Sequence, residues 1–208
     1  MESHRLFETP VFVLDLSEEV EDLRDRLLSL VLEEARDTPT AEGTHPAGWQ
    51  SRPDLDTREQ PAFAVVCNTL ATVARELTRA AAREHAGELP ELGISLNAWA
   101  AVNPRGGYVV THDHQGATWS MVFYVDAGDA DLQVHSDSGR LVLLDPRRTP
   151  STAGDLELFP STFEVRPRDG MLVVFPGYLQ HYTHPYMGER PRVVIAANAT
   201  VRAPSQRG

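Results

Sequence analysis

The stretch Ile94-Ser95-Leu96-Asn97-Ala98-Trp99-Ala100-Ala101-Val102 marks the point where this chain changes character. From about residue 92 the apolar residues recur with a period of two, the repeat of a strand that buries one face. Runs of the same kind follow at 108–113, 118–126, 131–135, 140–144, 163–165, 171–175, 181–186 and 192–201. Gly, Pro and Asp separate them at short spacing. Many short strands punctuated in this way predict an all-β sandwich or barrel over residues 91–203.

Upstream the period changes. Residues 6–14 predict a short strand with Pro10 near its start. Ser17 is a candidate helix N-cap, with Glu18 and Glu19 in a first turn where the helix dipole favours anions. Val20, Leu23, Leu27, Leu30 and Val31 recur at helical spacing and predict a helix to about Arg36. Residues 37–60 are loop-like and hold an aromatic in a polar setting, Gly48-Trp49-Gln50-Ser51. A second helix is predicted over 61–86. Leu70, Val73, Leu77 and Ala81 form its apolar stripe, Arg75, Glu76, Arg79 and Arg83 its wet face, and Gly87 and Pro90 end it. Residues 1–90 thus supply a strand and two helices that cover one sheet of the β-core, and 1–208 reads as a single domain.

The 208 residues carry a formal charge of −11, and the basic residues are all arginine. Without lysine there is no Schiff-base amine and no P-loop lysine. Acidity spread along the chain argues against a nucleic-acid or anionic-membrane partner. The single cysteine, Cys67, lies in the apolar run Phe63-Ala64-Val65-Val66-Cys67 and reads as a buried small hydrophobe. No stretch approaches membrane-spanning length and Met1-Glu2-Ser3-His4-Arg5 opens no apolar signal region, so the expected setting is cytoplasmic.

The chemistry concentrates in three places: Thr111-His112-Asp113-His114, Phe175-Pro176-Gly177-Tyr178-Leu179-Gln180-His181, and Arg192. On a strand, residues i and i+2 share a face, so His112 and His114 present two imidazoles together while Asp113 points away. A third histidine from a distant strand would complete a facial set with open positions for ligands. Neutral imidazole suits Fe(II), Cu, Ni and Zn alike, so the donors do not choose the metal. His4, His45 and His85 lie outside the β-core and read as surface. His135 sits in an expected strand without a partner. His184, three residues from His181, faces the other way and reads as structural.

In these motifs the chain resembles the bacterial 2-oxoglutarate–Fe(II) oxygenases, jelly-roll (double-stranded β-helix, cupin-like) proteins related to the prolyl hydroxylases. The resemblance runs from Leu6-Phe7-Glu8-Thr9-Pro10-Val11 through Gly48-Trp49-Gln50-Ser51 and Asp54-Leu55 to the core pattern Trp99, Asn103, Gly106, His112 and His114. It continues in Ser120, Phe123 and Tyr124, in Leu144-Asp145-Pro146-Arg147, and in the closing segment Phe175-Pro176, Leu179-Gln180-His181, Arg192 and Asn198. It implies Fe(II) held by His112, His114 and His181, with 2-oxoglutarate and O2 as co-substrates. It further implies that Arg192 pairs with the distal carboxylate of 2-oxoglutarate, with Arg190 as the fallback. Asn103 and Tyr124 are then candidates for hydrogen bonds to the co-substrate. The expected activity is hydroxylation, or a related C–H oxidation, of a small molecule, amino acid or peptide.

The chain departs from that pattern. Most of the wider superfamily carries a carboxylate where His114 stands, and Met121 replaces a glycine after Ser120. A strand bulge would instead turn Asp113 into the site. Two rival readings follow. Gly106, five residues and His112-x-His114 fit a first cupin motif, and Gly170, five residues and Pro176 fit part of a second. That reading gives a three-histidine cupin dioxygenase or isomerase that does not use 2-oxoglutarate. The other rival is a non-catalytic jelly-roll binding module. Exposed sheet edges allow a homodimer.

Overall fold

The computed structural model describes residues 7–18, 20–41, 45–85, 89–147, 151–153 and 156–203. The N-terminal part runs β1 (Phe12–Asp15), α1 (Glu21–Asp37), β2 (Trp49–Gln50), a short 3-10 turn at Leu55–Thr57, and α2 (Pro61–His85). The remainder is strand: β3 (Gly93–Asn103), β4 (Trp119–Asp126), β5 (Leu141–Leu144), β6 (Ser151–Ala153), β7 (Leu156–Phe159), β8 (Thr162–Val165), β9 (Met171–Pro176), β10 (His181–Thr183) and β11 (Arg192–Arg202).

Six strands pair in the order β1-β9-β4-β11-β3-β2, all antiparallel. A second sheet has the order β10-β5-β8, and β6 and β7 form a separate ribbon. The long strand β11 binds the large sheet together. It sets Arg192 opposite Asn103 and Ala196 opposite Trp99 on β3, and Val194 opposite Tyr124 and Asn198 opposite Ser120 on β4.

Period-two alternation then sorts every strand into two faces. Ala98, Ala100 and Val102 of β3, Met121, Phe123 and Val125 of β4, Leu172 and Val174 of β9, and Val193, Ile195, Ala197 and Ala199 of β11 meet the helices. Small residues on β3 and β11 let the helices approach closely. Leu27 and Val31 of α1, and Ala62, Phe63, Val66, Leu70 and Ala74 of α2, recur every three or four residues and fill that layer. Each Leu or Phe so buried contributes roughly 1.5–3 kcal/mol. The opposite face packs on the small sheet through Ala101, Tyr124, Val173, Phe175 and Val194 against Leu141, Leu143 and Val165.

A mainly β architecture with two packed N-terminal helices is therefore what the sequence builds. The hydrogen-bonding of the described residues leaves two separate main sheets, without closure into one curled sheet. No described helix is long and apolar enough to cross a membrane.

Several local expectations are corrected. Ser17 does not cap α1: its hydroxyl and backbone NH both bond Asp15 Oδ1, and the helix starts at Glu21 after Val20. Residues 131–135 alternate like a strand but form turns, because the Asp131 carboxylate and carbonyl capture the NH groups of Gln133 and His135. Residues 108–113 are extended but pair with β10 only locally, and β10 ends at Thr183 rather than 186. Residues 49–50 form a strand within a stretch that reads as loop, and 151–153 and 156–159 form strands where none is predicted. Leu6 and Gly87 lie outside the described residues.

Candidate metal centre

Three histidines meet where the inner face of the large sheet opens between β4, β10 and the 106–114 segment. His112 and His181 are tied by reciprocal backbone hydrogen bonds of 3.1 and 2.9 Å, which place their side chains together. His114 NH donates to Gly177 O at 2.8 Å, so the Phe-Pro-Gly turn holds the second imidazole. The ring centroids stand 4.8 Å apart for His112 and His114, 4.2 Å for His112 and His181, and 5.3 Å for His114 and His181. One nitrogen from each ring lies within 4.8 Å of the others, a spacing that one metal ion would bridge. Asp113 does not join this cluster, so the bulge that would have rotated it inward is not present.

The ring nitrogens are oriented from behind. His112 Nδ1 lies 2.8 Å from Val110 O, and His181 Nδ1 lies 2.9 Å from Leu179 O. A carbonyl accepts only, so each Nδ1 carries the proton and each Nε2 keeps a free lone pair. Burial pushes His181 down to about 3 and His114 down to about 4, and it lowers His112 as well. The neighbouring imidazoles add to the depression of His181 and His114. All three rings are therefore neutral near pH 7, the state a metal requires.

The cavity beside them is small, about 50 Å³, and its walls include Trp99, Asn103, Ser120, Tyr124, Val194 and Arg192. A larger open groove of about 550 Å³ runs past Pro146 and Phe163 but holds no histidine, so size does not locate the chemistry. Arg192 is 2 % exposed. Its Nη1 donates to Gly139 O at 2.5 Å, and its guanidinium carbon sits 5.7 Å from the Tyr186 ring and 6.0 Å from the Tyr124 ring. Gly139, at φ 62°, is required there, since a β-carbon would strike the same guanidinium. Arg192 Nε has no partner, and no carboxylate pairs with Arg192 among the described residues. Arg190, two residues away, points outward to Asp126 at 2.9 Å and Asp129 at 3.7 Å. The two arginines are thereby told apart: Arg192 faces the cavity and Arg190 staples a surface turn.

Asn103 and Tyr124 both line the cavity, and both amide atoms of Asn103 are buried without partners. His184 meets Tyr182 edge to face at 5.5 Å, away from the cluster, and His135 lies between two turns. His4 and the side chain of His85 lie outside the described residues. His45 overturns its surface assignment: it forms part of the cavity wall, and burial pushes it down to about 4. Its placement follows from β2, whose Trp49 pairs with Val102 of β3 and so carries the preceding turn onto Asn103. Cys67 is buried in α2 and its thiol is pushed up to about 12, so it stays protonated, as expected of a small apolar residue.

Comparison with known proteins places this arrangement. The family described as "Putative 2OG-Fe(II) oxygenase" matches residues 97–198, the span holding all three histidines and Arg192. No curated protein matches the chain in sequence. Among solved structures, a Pseudomonas putida prolyl-4-hydroxylase aligns with TM-score 0.61 at 17% identity, covering 95% of this chain and 96% of that one. A Trichoplax adhaerens prolyl hydroxylase, solved with a hypoxia-inducible-factor peptide fragment, aligns with TM-score 0.64 at 12% identity over 91% and 83% of the two chains. HygX from Streptomyces hygroscopicus, solved with nickel and 2-oxoglutarate, gives TM-score 0.56 at 15% identity over 95% and 84%. At these identities the structures speak for a shared fold. Residues 97–198, with the histidine cluster and Arg192 inside them, thus match the 2OG-Fe(II) oxygenase family model, and the chain shares its fold with the prolyl hydroxylases.

Proposed function

We propose that this protein is a three-histidine non-haem iron oxygenase that uses 2-oxoglutarate. In this reading His112, His114 and His181 hold Fe(II), Arg192 takes the distal carboxylate of 2-oxoglutarate, and Asn103 and Tyr124 complete its hydrogen bonding. The observation that carries the reading is Arg192, a buried guanidinium without a carboxylate beside it, on the wall of the cavity that holds the imidazoles. An uncompensated buried cation costs several kcal/mol or more, on the order of the charge-burial penalty, and a ligand carboxylate gripped by two N–H donors relieves it. Iron with 2-oxoglutarate and O2 would supply oxidative decarboxylation to succinate and CO2, coupled to hydroxylation of a C–H bond in a small molecule, amino acid or peptide.

The chain's own residues do the rest. The Val110 and Leu179 carbonyls hold two imidazoles in one tautomer and one orientation. Val122, Leu141 and Val194 line the cavity with apolar surface and limit water near the reacting atoms. The two facing sheets are taken as the halves of a double-stranded β-helix, and 1–208 as one domain.

A second reading has its own support. The donor set is three neutral imidazoles with Asp113 outside, which fits a three-histidine dioxygenase or isomerase independent of 2-oxoglutarate better than it fits a two-histidine, one-carboxylate centre. Succinate release separates the two. Iron-loaded protein should form succinate only when 2-oxoglutarate is added. Intact iron binding with no 2-oxoglutarate consumption would hand the site to the second reading. Failure to bind iron at all would leave a binding module.

A further inference from the structure

His45 is delivered to the cavity by a turn built for that placement. Gly48 NH donates to His45 O at 3.3 Å, closing the turn. Within it Ala47 holds φ at 59°, the left-handed region that alanine seldom adopts. Gly48 lies against the site: a β-carbon there would come within 3.1 Å of Val102 O and 3.3 Å of Asn103 Oδ1. The Trp49 indole NH donates to Thr38 O at 3.2 Å and anchors the far side. Strain and close packing of this kind persist only where the surrounding structure over-determines them.

The polar atoms left unpaired around this turn have a common character. Trp99 Nε1, Asn103 Nδ2 and Arg192 Nε are buried donors and Asn103 Oδ1 is a buried acceptor; His45 Nδ1 takes either role with its tautomer, and its ring stands near enough to the Asn103 side chain for that group to raise His45 against the larger effect of burial. All four residues line one cavity. Buried polar groups in native proteins find partners, and a surplus of donors is complementary to a ligand rich in acceptor oxygens.

We propose that His45 is a positioning residue for the carboxylate-bearing co-substrate, its Nδ1 and the Asn103 amide forming a second anchor beside Arg192. The assignment rests on the reading of the site as a 2-oxoglutarate site. It gives the loop before β2 a direct part in co-substrate binding.

The test is calorimetric titration of 2-oxoglutarate into the full chain loaded with Ni(II), comparing wild type with His45→Ala, His45→Phe, His45→Asn and Arg192→Met. Ni(II) affinity and thermal melting are measured for each protein. His45→Ala and His45→Phe should weaken 2-oxoglutarate about tenfold, as expected for losing one hydrogen bond. His45→Asn, which returns a polar group near the Nδ1 position, should stay within about threefold of wild type. Ni(II) affinity should be unchanged in the three His45 variants. Wild-type affinity in His45→Phe would reduce the residue to a wall and overturn the assignment. Equal losses in His45→Asn and His45→Ala would overturn the hydrogen-bonding role. If wild type and all variants bind Ni(II) but none binds 2-oxoglutarate, the functional reading fails and this assignment falls with it. A wild type that binds, beside His45 variants that bind equally well, overturns the His45 assignment alone.

Discussion

The two faces of the large sheet are made by the same strands and obey opposite rules. On the helix side, Val193, Ile195, Ala197 and Ala199 of β11 are apolar and buried against α1 and α2. One residue out of phase, Arg192, Val194, Ala196 and Asn198 look inward, and unpaired polar atoms sit on Arg192 and Asn198. β3 repeats the contrast, with Ala98, Ala100 and Val102 outward and Trp99 and Asn103 inward. Alternation therefore separates stability from chemistry within single strands. A change on one face should alter folding, and a change on the other should alter ligand binding. Arg190 and Arg192 restate the lesson at the strand's start: the first is exposed and paired with carboxylates, the second is buried without one.

The sharpest way to break the contrast is to remove a cavity-face imidazole. His181→Ala should weaken Fe(II) or Ni(II) binding by more than about 100-fold, exceeding the loss seen when only a ligand's supporting partner is removed. The metal-free protein should melt close to wild type, and an equally large drop in melting temperature would contradict the division. Arg192→Met comes next. It should weaken 2-oxoglutarate by about 100-fold, the scale of truncating one partner of a buried charge pair, while metal affinity is kept. Because it removes a buried uncompensated charge, it should leave the stability of the ligand-free protein unchanged or raised. On the other face, Leu70→Ala should cost about 2–5 kcal/mol in chemical denaturation and leave the metal affinity of the folded fraction intact.

The last test is a pH dependence. His45, His114 and His181 have folded-state values pushed down by burial to about 4, 4 and 3, below the ordinary histidine value of 6.5. Between those values and 6.5 the unfolded chain binds more protons than the folded one, so stability rises with pH through that window. The metal-free protein should lose stability as pH falls below 6.5 and continue losing it toward pH 3, which melting curves at constant ionic strength would follow. His181→Ala should flatten part of that slope. A metal-free protein of constant stability across the window would show that the imidazoles are not buried as described.

Legibility in the sequence followed the same divide. The helix-facing side was readable because burial of one strand face imposes a period of two, and β3, β4, β9 and β11 fall where that period placed them. Where a side chain outcompeted the ladder the pattern misled: Asp131 turns a strand-like alternation into turns. The site was legible as far as it is local. His112 and His114 share a face through their spacing, and Phe175-Pro176-Gly177 announced a turn ahead of His181. Arg192 could be placed at the start of a strand, but its burial depends on Gly139 from a distant turn. His45 was not legible at all. Its position depends on two residues of β2 pairing with β3, a contact too short to leave a periodic signal. The glycine at 48 and the tryptophan at 49 were the available trace, an aromatic anchored in a polar loop.

If one face of one sheet offers three metal-binding imidazoles and a carboxylate anchor to the same small cavity, Fe(II) and 2-oxoglutarate should bind there side by side. Anaerobic titration of the protein with Fe(II) and then 2-oxoglutarate tests it most directly. A weak visible absorption band should appear that needs both additions, saturates at one equivalent of each, and is lost in His112→Ala. Iron binding with no band and no change on adding 2-oxoglutarate would contradict it.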